Sequence, residues 1–467
     1  MNKKILSLAL PNIITNITVP LLGIVDMAIV GHLSTAHIAA IAIGTGIFNL
    51  IYWNFGFLRM GTSGFTAQAY GAHDFGEAIR TLVRAVTIAL VIALLLLLLQ
   101  WPICRLAMVI FHGSSQVMEL ALTYFFIRIW AAPATLGLYA IKGWFIGMQN
   151  SRLPMWIAIF LNVVNIVTSL FFVLVLRWGI TGVALGTVIA QYSGLAAALL
   201  FAHKYYGRLI RRHLDLRGSL HWDAMKHFFR VNGDIFLRTI CLAAVFTFIT
   251  AASGRISDEV LAVDALLLQF FTLFSYFMDG FAYAGESLVG RYIGARDSRR
   301  LHLSVRYLLL WGLALTVLFT IIYALWGESF MHIFSDDANV ISATMRYSFW
   351  TLVVPVCGFA AFLFDGIFVG ATASTAMRNA MFIATAAFFS IYFAGKNLYV
   401  VPLLQQQTYL EPETPFLSDI HFLWNNILWL AFAVYLTLRG ILQALQLHKH
   451  VYAQVPCKII SNSQGTS

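Results

Sequence analysis

The chain has 467 residues, of which 60% are hydrophobic and only 11% are charged, with a formal net charge of +10. Because soluble globular proteins carry roughly 25% charged residues, this composition excludes an ordinary soluble protein. Apolar runs of the roughly 20 residues that cross a bilayer core recur along the whole chain. Lipid offers the backbone no hydrogen-bond partner, and the alternation of a membrane β-barrel is absent, so we predict an all-α integral membrane protein.

The apolar runs predict about twelve membrane-spanning helices. The first run continues to about Gly31 and contains Asp26, so we interpret it as a helix and not as a cleaved leader. Pro11 and Pro20 are expected to bend this helix. In chain order, the predicted spans lie near residues 5–30, 38–70, 80–104, 116–148, 153–176, 180–203, 228–252, 259–292, 303–327, 340–370, 377–403 and 420–446.

Positive charge is distributed unevenly between the two ends of these helices. One side carries a basic cluster between Lys204 and Arg230 and further cations such as Arg299 and Arg439. The other side carries only Arg105, Arg177, Arg255 and Lys396. Because cytoplasmic loops are rich in Lys and Arg, we predict a multi-pass protein of a bacterial inner membrane with both termini in the cytoplasm. The basic excess then reflects topology and attraction to anionic lipid, and no nucleic-acid partner is expected.

An internal repeat divides the chain into two halves. Gly31-His-Leu-Ser34 matches Gly254-Arg-Ile-Ser257 at an offset of 223 residues (254 − 31 = 223), and the same offset aligns Gly71 with Gly294 in two Gly-Ala-x-Asp segments. Six predicted helices separate the copies, so both halves have the same orientation. Parallel repeats with the substrate path between them are typical of transporters, and a purely structural duplication is the alternative. The predicted units are a six-helix bundle over 1–203, a cytoplasmic basic linker over 204–227, a second six-helix bundle over 228–447 and a cytoplasmic tail over 448–467.

Ionisable residues inside the spans are the main functional candidates, because a charge at the centre of a bilayer is costly. Asp26 lies deep in the first apolar run, where burial disfavours its charged form, so we interpret it as a proton-coupling residue. The alternative for Asp26 is a permanent ion pair with an intramembrane cation, Arg59 or Arg128. The secondary candidates for coupling are Asp365, Asp264, Asp279 and Glu286. For Asp279 and Glu286, a structural ion pair is an equally weighted alternative.

The sequence contains no motif of a soluble enzyme, an ATP site or a metal site, and its four cysteines show no pairing pattern. We therefore expect no catalytic residue, no metal and no cofactor. Transport then depends on a proton or sodium gradient.

The segment around Asp26, the parallel repeat and the Gly-Ala segments resemble multidrug and toxic compound extrusion (MATE) transporters. The second half is similar to the DinF-like branch of that family in three segments, 276–284, 294–297 and 364–372. The likeness extends to about Leu447. It implies a V-shaped fold of two six-helix bundles and antiport of cations against amphipathic drugs.

The resemblance also implies a polar network around the aspartate of the first helix. In this chain the network corresponds to Asp26, Tyr124, Asn165 and Thr187, and the first-helix proline of the family corresponds to Pro11. The family often has a second aspartate four residues after the asparagine, where this chain has Ser169, and we count Ser169 as a further candidate of the ion-coupling and substrate network. This departure leaves the stoichiometry and the identity of the coupling ion open.

The sequence thus predicts a monomeric secondary exporter of cationic or amphipathic organic compounds, driven by protons or by sodium. The first alternative is a lipid-linked oligosaccharide flippase of the same superfamily, whose pyrophosphate would lie along the intramembrane cations Arg59, Arg128, Lys142 and Arg238. The second alternative is an integral-membrane enzyme that modifies lipids, for which no catalytic pair is visible. The third is a structural or sensory membrane protein, which only the repeat disfavours.

Overall fold

The structure, a computed structural model, describes residues 1–31, 34–110, 114–407 and 415–455. Within these ranges the secondary structure is helical and contains no β-strand. The α-helices are α1 (Asn2–Gly31), α2 (Thr35–Asn54), α3 (Phe57–Gly71), α4 (Phe75–Leu98), α5 (Gln100–Ile110), α6 (Ser115–Arg128), α7 (Ala132–Gly147), α8 (Arg152–Leu170), α9 (Gly179–His213), α10 (Leu216–Ser219), α11 (Trp222–Ile256), α12 (Asp258–Gly294), α13 (Ser298–Phe334), α14 (Ala338–Met345), α15 (Ser348–Gly370), α16 (Ser374–Gly395), α17 (Val401–Gln407) and α18 (Pro415–His450).

Twelve stretches of the described chain are helical, long and apolar enough to cross a membrane, which confirms the predicted all-α integral membrane fold. Three of these spans each join two α-helices, because α2 continues into α3, α6 into α7 and α16 into α17. The predicted linker 204–227 is mostly helical: α9 extends to its His213, α10 follows, and α11 begins at Trp222. The domain boundaries drawn around this segment stay a prediction.

The two halves repeat the same local structure at the offset of 223 residues. His73 and Arg296 both adopt a left-handed backbone with φ of 58° and 52°, directly after α3 and α12. Asp74 then caps α4 by accepting from the Glu77 amide, and Asp297 caps α13 by accepting from the Arg300 amide, each at 2.9 Å. The repeat seen in the sequence is therefore a repeat of folded structure, as the fold class predicted.

Helix packing follows the same symmetry. In the first half α3 packs on α7 and α8 packs on α9, and in the second half α12 packs on α15 and α16 packs on α18. Glycines permit the closest approaches: a Cβ at Gly143 would meet the backbone oxygen of Arg59, and a Cβ at Gly366 would meet that of Ala282. These two contacts are equivalent under the repeat, so both bundles rest on the same close helix contact.

The two halves join most closely at one end of the molecule. Gly71 at the end of α3 lies against the backbone oxygen of Arg291, and Gly294 at the end of α12 lies against the backbone oxygen of Gln68. Since these contacts exchange under the repeat, the local two-fold axis passes between them. Gln68 Nε2 also donates to the Gly370 oxygen at 2.9 Å. We call this contact the glycine seam.

Two parts of the sequence analysis meet the limits of the described residues. The tail is described only to Val455, and residues 456–467 lie outside. The repeat motif at 31–34 is described only in part. α1 is one continuous helix through Pro11 and Pro20, and the bend expected there stays a prediction.

Candidate functional site

The first candidate site surrounds Asp26, near the C-terminal end of α1. The carboxylate is 1% exposed, and Oδ2 lies 3.3 Å from the Thr187 hydroxyl of α9. Asn165 of α8 donates from Nδ2 to the same hydroxyl at 3.1 Å. Three of the four residues that the resemblance assigned to the network therefore form one hydrogen-bonded chain across three helices.

Thr187 is placed to respond to the charge of Asp26. Its Oγ1 lies 3.1 Å from the backbone oxygen of Val183 and 3.3 Å from Asp26 Oδ2, but a hydroxyl carries only one hydrogen. When Asp26 is ionised, the hydroxyl can donate to the carboxylate. When Asp26 is protonated, the acid can donate to Thr187, which then donates to Val183. The site thus accommodates both protonation states by rotation of one hydroxyl.

Tyr124, the fourth residue of the network, is fully buried, and Arg128 is the group that interacts with both Tyr124 and Asp26. Its hydroxyl accepts a hydrogen bond from Arg128 Nη1, and Arg128 also approaches Thr45 Oγ1 at 3.4 Å. Arg128 acts electrostatically on Asp26, yet no ion pair within 4.0 Å joins them among the described residues. The permanent ion pair considered for Asp26 is therefore absent from the described structure, since Arg59 is bonded elsewhere.

Ser169 and Asn162 flank this chain of hydrogen bonds. The Ser169 hydroxyl is buried and has no hydrogen-bond partner in the described part of the molecule. It lies against Gly186, the neighbour of Thr187, so it fills space beside the network. Asn162 donates to the backbone oxygen of Thr18 at 2.9 Å and ties α8 to α1.

A second polar cluster lies between the two halves. Arg59 of α3 donates to Glu286 of α12 at 3.0 Å, and its guanidinium carbon lies 3.8 Å from the ring centroid of Tyr283. Asp279, two turns earlier on α12, interacts electrostatically with Arg59 and Glu286. Glu286 is thus an interface residue held by a cation.

Asp365 of α15 lies in a buried cluster with an excess of positive charge. Its Oδ2 accepts hydrogen bonds from Arg238 and, at 2.6 Å, from Arg439, and its Oδ1 accepts from Gln443 at 2.9 Å. Arg439, which was counted among the cations of the cytoplasmic side, is 3% exposed and faces the interior of the second half. A count of cations along the sequence cannot separate a loop residue from one on the inward face of a long helix.

Asp264 of α12 has a different environment, in which neutral groups surround the carboxylate. Asn425 Nδ2 and Trp429 Nε1, both from α18, donate to Oδ1 at 2.9 and 2.7 Å. Oδ2 contacts the hydroxyl of Ser253 on α11. Asp264 is 1% exposed, and no cation forms an ion pair with it in the described part of the chain.

A protein-family model, MatE, matches residues 11–171 and 235–394, one segment in each half. This chain belongs to the MatE family. A relative along nearly its whole length is DNA damage-inducible protein F of Escherichia coli (strain K12), 36% identical over 463 residues that cover 96% of this chain and 92% of that protein. Protein DETOXIFICATION 44, chloroplastic, of Arabidopsis thaliana is 26% identical, with 79% and 71% covered. The Probable multidrug resistance protein NorM of Photorhabdus laumondii is 20% identical, with 74% and 77% covered.

Solved structures of MATE proteins share this fold. The crystal structure of the Vibrio cholerae MATE transporter VcmN in the bent form matches with a TM-score of 0.79 and 18% identity, covering 97% of both chains. The crystal structure of MATE in the straight conformation matches with a TM-score of 0.79 and 18% identity, covering 97% of this chain and 96% of that one. As a MATE protein, this chain is a membrane transporter and not an enzyme. The predicted family and its DinF-like relationship are confirmed.

The cations proposed to form a groove for a pyrophosphate are not equivalent in this MATE chain. Arg59 is paired with Glu286, Arg238 with Asp365, and Arg128 bonds Tyr124. Lys142 alone of the four forms no hydrogen bond or ion pair within the described ranges. A diphosphate at this groove would have to compete with the carboxylates that already pair with Arg59 and Arg238.

Sequence reasoning did not identify several residues of these clusters. Thr45, Ser253, Asn425 and Trp429 were not singled out, because polar residues of this kind occur throughout apolar helices. They lie between one and four spans away along the chain from the charge that they approach, so only the tertiary structure brings them together. Spacing within one helix indicated only that Asp279 and Glu286 share a face.

Proposed function

We propose that this chain is a secondary exporter that exchanges protons for cationic or amphipathic organic compounds, with Asp26 as the proton-binding residue. The observation that carries this proposal is the buried Asp26 carboxylate, whose Thr187 partner can serve either protonation state. A buried carboxylate without a direct ion pair binds a proton more readily than one that a cation holds ionised. The relatives whose names refer to multidrug resistance and detoxification support the substrate class.

The structure favours protons at Asp26 over sodium at Asp365. Two arginines hold Asp365, and their combined charge exceeds that of the carboxylate. A sodium ion placed there would meet net positive charge in a site of low dielectric constant. At Asp26 the bonded partners are neutral, and Arg128 acts only over a longer range.

We propose that the two halves move relative to each other to give alternating access. The glycine seam holds them together at the end that carries the basic segments, which we propose to be cytoplasmic. Substrate and proton then need only favour different arrangements of the two halves, because a ligand shifts an equilibrium by its differential affinity. Since one chain contains both halves, we propose that a monomer is the transport unit.

The test is efflux of a fluorescent organic cation from proteoliposomes under an imposed proton gradient, with a sodium gradient in parallel. We expect proton-driven efflux by the wild type and its loss in Asp26→Asn with unchanged thermal stability. Ser169→Ala is the matched control, because it alters a buried group beside the network whose hydroxyl has no partner there. Proton-driven efflux that persists in Asp26→Asn would remove Asp26 from the mechanism.

The orientation in an inner membrane has its own test. We propose that both termini are cytoplasmic, as the distribution of basic residues indicates. Single cysteines placed at Arg177 and at Arg208, in a background without the native cysteines, should react differently in intact cells. A membrane-impermeant thiol reagent should label position 177 and not position 208. The reverse pattern would invert the topology.

A further inference from the structure

If Asp264 were ionised, the cluster around it would contain one more hydrogen-bond contact than it has hydrogens to donate. The Ser253 hydroxyl lies 2.8 Å from the backbone oxygen of Ile249 and also contacts Asp264 Oδ2. A hydroxyl has one hydrogen and can donate to only one of these oxygens. Both contacts are hydrogen bonds only if Asp264 Oδ2 carries a proton and donates it to Ser253, which in turn donates to Ile249.

The opposite oxygen of the carboxyl group fits this assignment. Oδ1 accepts from Asn425 Nδ2 at 2.9 Å and from Trp429 Nε1 at 2.7 Å, which is the full complement of a carbonyl oxygen. No charge of opposite sign pairs with Asp264 within the described ranges, and a buried carboxylate without a cation is costly. The geometry is that of a neutral carboxylic acid whose carbonyl oxygen accepts two hydrogen bonds and whose hydroxyl donates one.

The other titratable groups near Asp264 are a buried tyrosine and several charged groups close to the helix ends. Tyr347, which precedes α15, is buried and faces the cluster. The charged groups on the other elements packed around it are exposed or half-buried near the same helix ends: Arg255 on α11, Glu259 on α12, Glu328 on α13, Arg346 after α14, Lys396 after α16 and His421 on α18. Asp264 follows the start of α12 by six residues, or about 9 Å along the helix.

We propose that Asp264 is a second proton-binding site, in the second half of the chain, which releases and rebinds one proton in each transport cycle. The proton reaches Oδ2 from the solvent at the nearby helix ends. When it leaves for the opposite side of the membrane, the Ser253 hydroxyl rotates from Ile249 to the carboxylate. This proposal rests on the proposed proton coupling. It gives each half one titrating carboxylate next to a hydroxyl with a choice of two acceptors, Asp26 with Thr187 and Asp264 with Ser253.

The first measurement is the infrared difference spectrum between wild type and Asp264→Asn, each the full chain reconstituted in lipid. We expect a carbonyl band of a protonated carboxyl in the wild type that is missing in the variant. The band should disappear as the pH rises, and Ser253→Ala should move it because the acid loses its acceptor. Thr250→Ala is the matched control, since that hydroxyl lies on the exposed face of α11 and bonds only the Phe246 oxygen in the described chain. A band that is absent at every pH, or unchanged at every pH, would overturn the proposal.

The second measurement is the ratio of protons to organic cations exchanged, from the reversal potential in proteoliposomes. Asp264→Asn should lower this ratio by one proton with the protein still folded and transporting, whereas Asp26→Asn should abolish proton-driven efflux. An unchanged ratio in Asp264→Asn would mean a static, structural proton and would overturn the proposal. Absence of proton-driven efflux in the wild type would instead contradict the proposed function, and the infrared band would still decide whether Asp264 titrates.

Discussion

Arg59 Nη1 lies 3.0 Å from Glu286 Oε2 and joins the two halves of the chain by an ion pair between residues 227 positions apart. Glu286 is 1% exposed on its side chain, and Arg59 is 16% exposed. The same guanidinium lies over the ring of Tyr283. Because the pair crosses the interface between the halves, any motion that separates α3 from α12 has to break it.

Removal of either member of this pair should destabilise the protein strongly. Arg59→Gln and Glu286→Gln each leave one buried charge without its partner, which costs about 3–5 kcal/mol. The double variant should lose less than the sum of the two, with a coupling of about 0.5–3 kcal/mol. The measurement is thermal unfolding in detergent. Arg300→Gln is the control, because Arg300 forms a more exposed pair with Asp297, and its stability should change by less than about 1 kcal/mol. Strictly additive losses would show that the pair does not act as a unit.

Transport should depend on the hydroxyl of Thr187. Thr187→Val keeps the shape of the side chain but removes the group that bonds Asp26 and accepts from Asn165. We expect proton-driven efflux to slow by about 10-fold or more in this variant, because loss of an interaction worth about 1.4 kcal/mol in the transition state lowers a rate about tenfold. Thr187→Ser retains the hydroxyl and should keep most of the activity. Equal rates for the valine and serine variants would exclude a role for this hydroxyl.

Asp365 should be a structural residue. Asp365→Asn leaves Arg238 and Arg439 buried without a carboxylate, and we expect a loss of about 3–5 kcal/mol of stability. Thermal unfolding of purified protein is the measurement, with Asp26→Asn as the comparison, because no arginine bonds Asp26 in the described chain. If Asp365→Asn instead unfolds at the wild-type temperature and loses only transport, Asp365 returns as a coupling residue.

The glycine seam should tolerate no side chain. A methyl group at Gly294 would meet the backbone oxygen of Gln68, so Gly294→Ala should cost about 1–3 kcal/mol or force the halves apart. Gly327 on α13 has no atom within 4 Å of an added Cβ, and Gly327→Ala should leave stability unchanged or raise it by up to about 1 kcal/mol. The unfolding temperatures of Gly294→Ala and Gly327→Ala, compared with that of the wild type, measure this difference. Equal behaviour of both variants would mean that the seam is not a close contact.

The helices and their two-fold repeat were predictable because their causes are local. A bilayer requires about 20 apolar residues and internal backbone hydrogen bonds, so hydropathy alone predicts each span. The repeat required no structure either, since matched segments such as the two Gly-Ala-x-Asp segments share one offset of 223 residues in the sequence. Asp26 was identifiable for the same reason, as a charge in an apolar run.

The sequence by itself determined the class of protein, the number of spans, the repeat and the buried carboxylates of the first and second halves. Only the tertiary structure decided which cations these carboxylates meet. Glu286 and Asp365 are both acidic residues in apolar helices, yet arginines hold them, while Asp264 meets only neutral groups from α11 and α18 in the described chain. The physical reason is that burial of a charge is visible in one helix, whereas its compensation comes from residues on other helices that are distant in the chain and close only after packing.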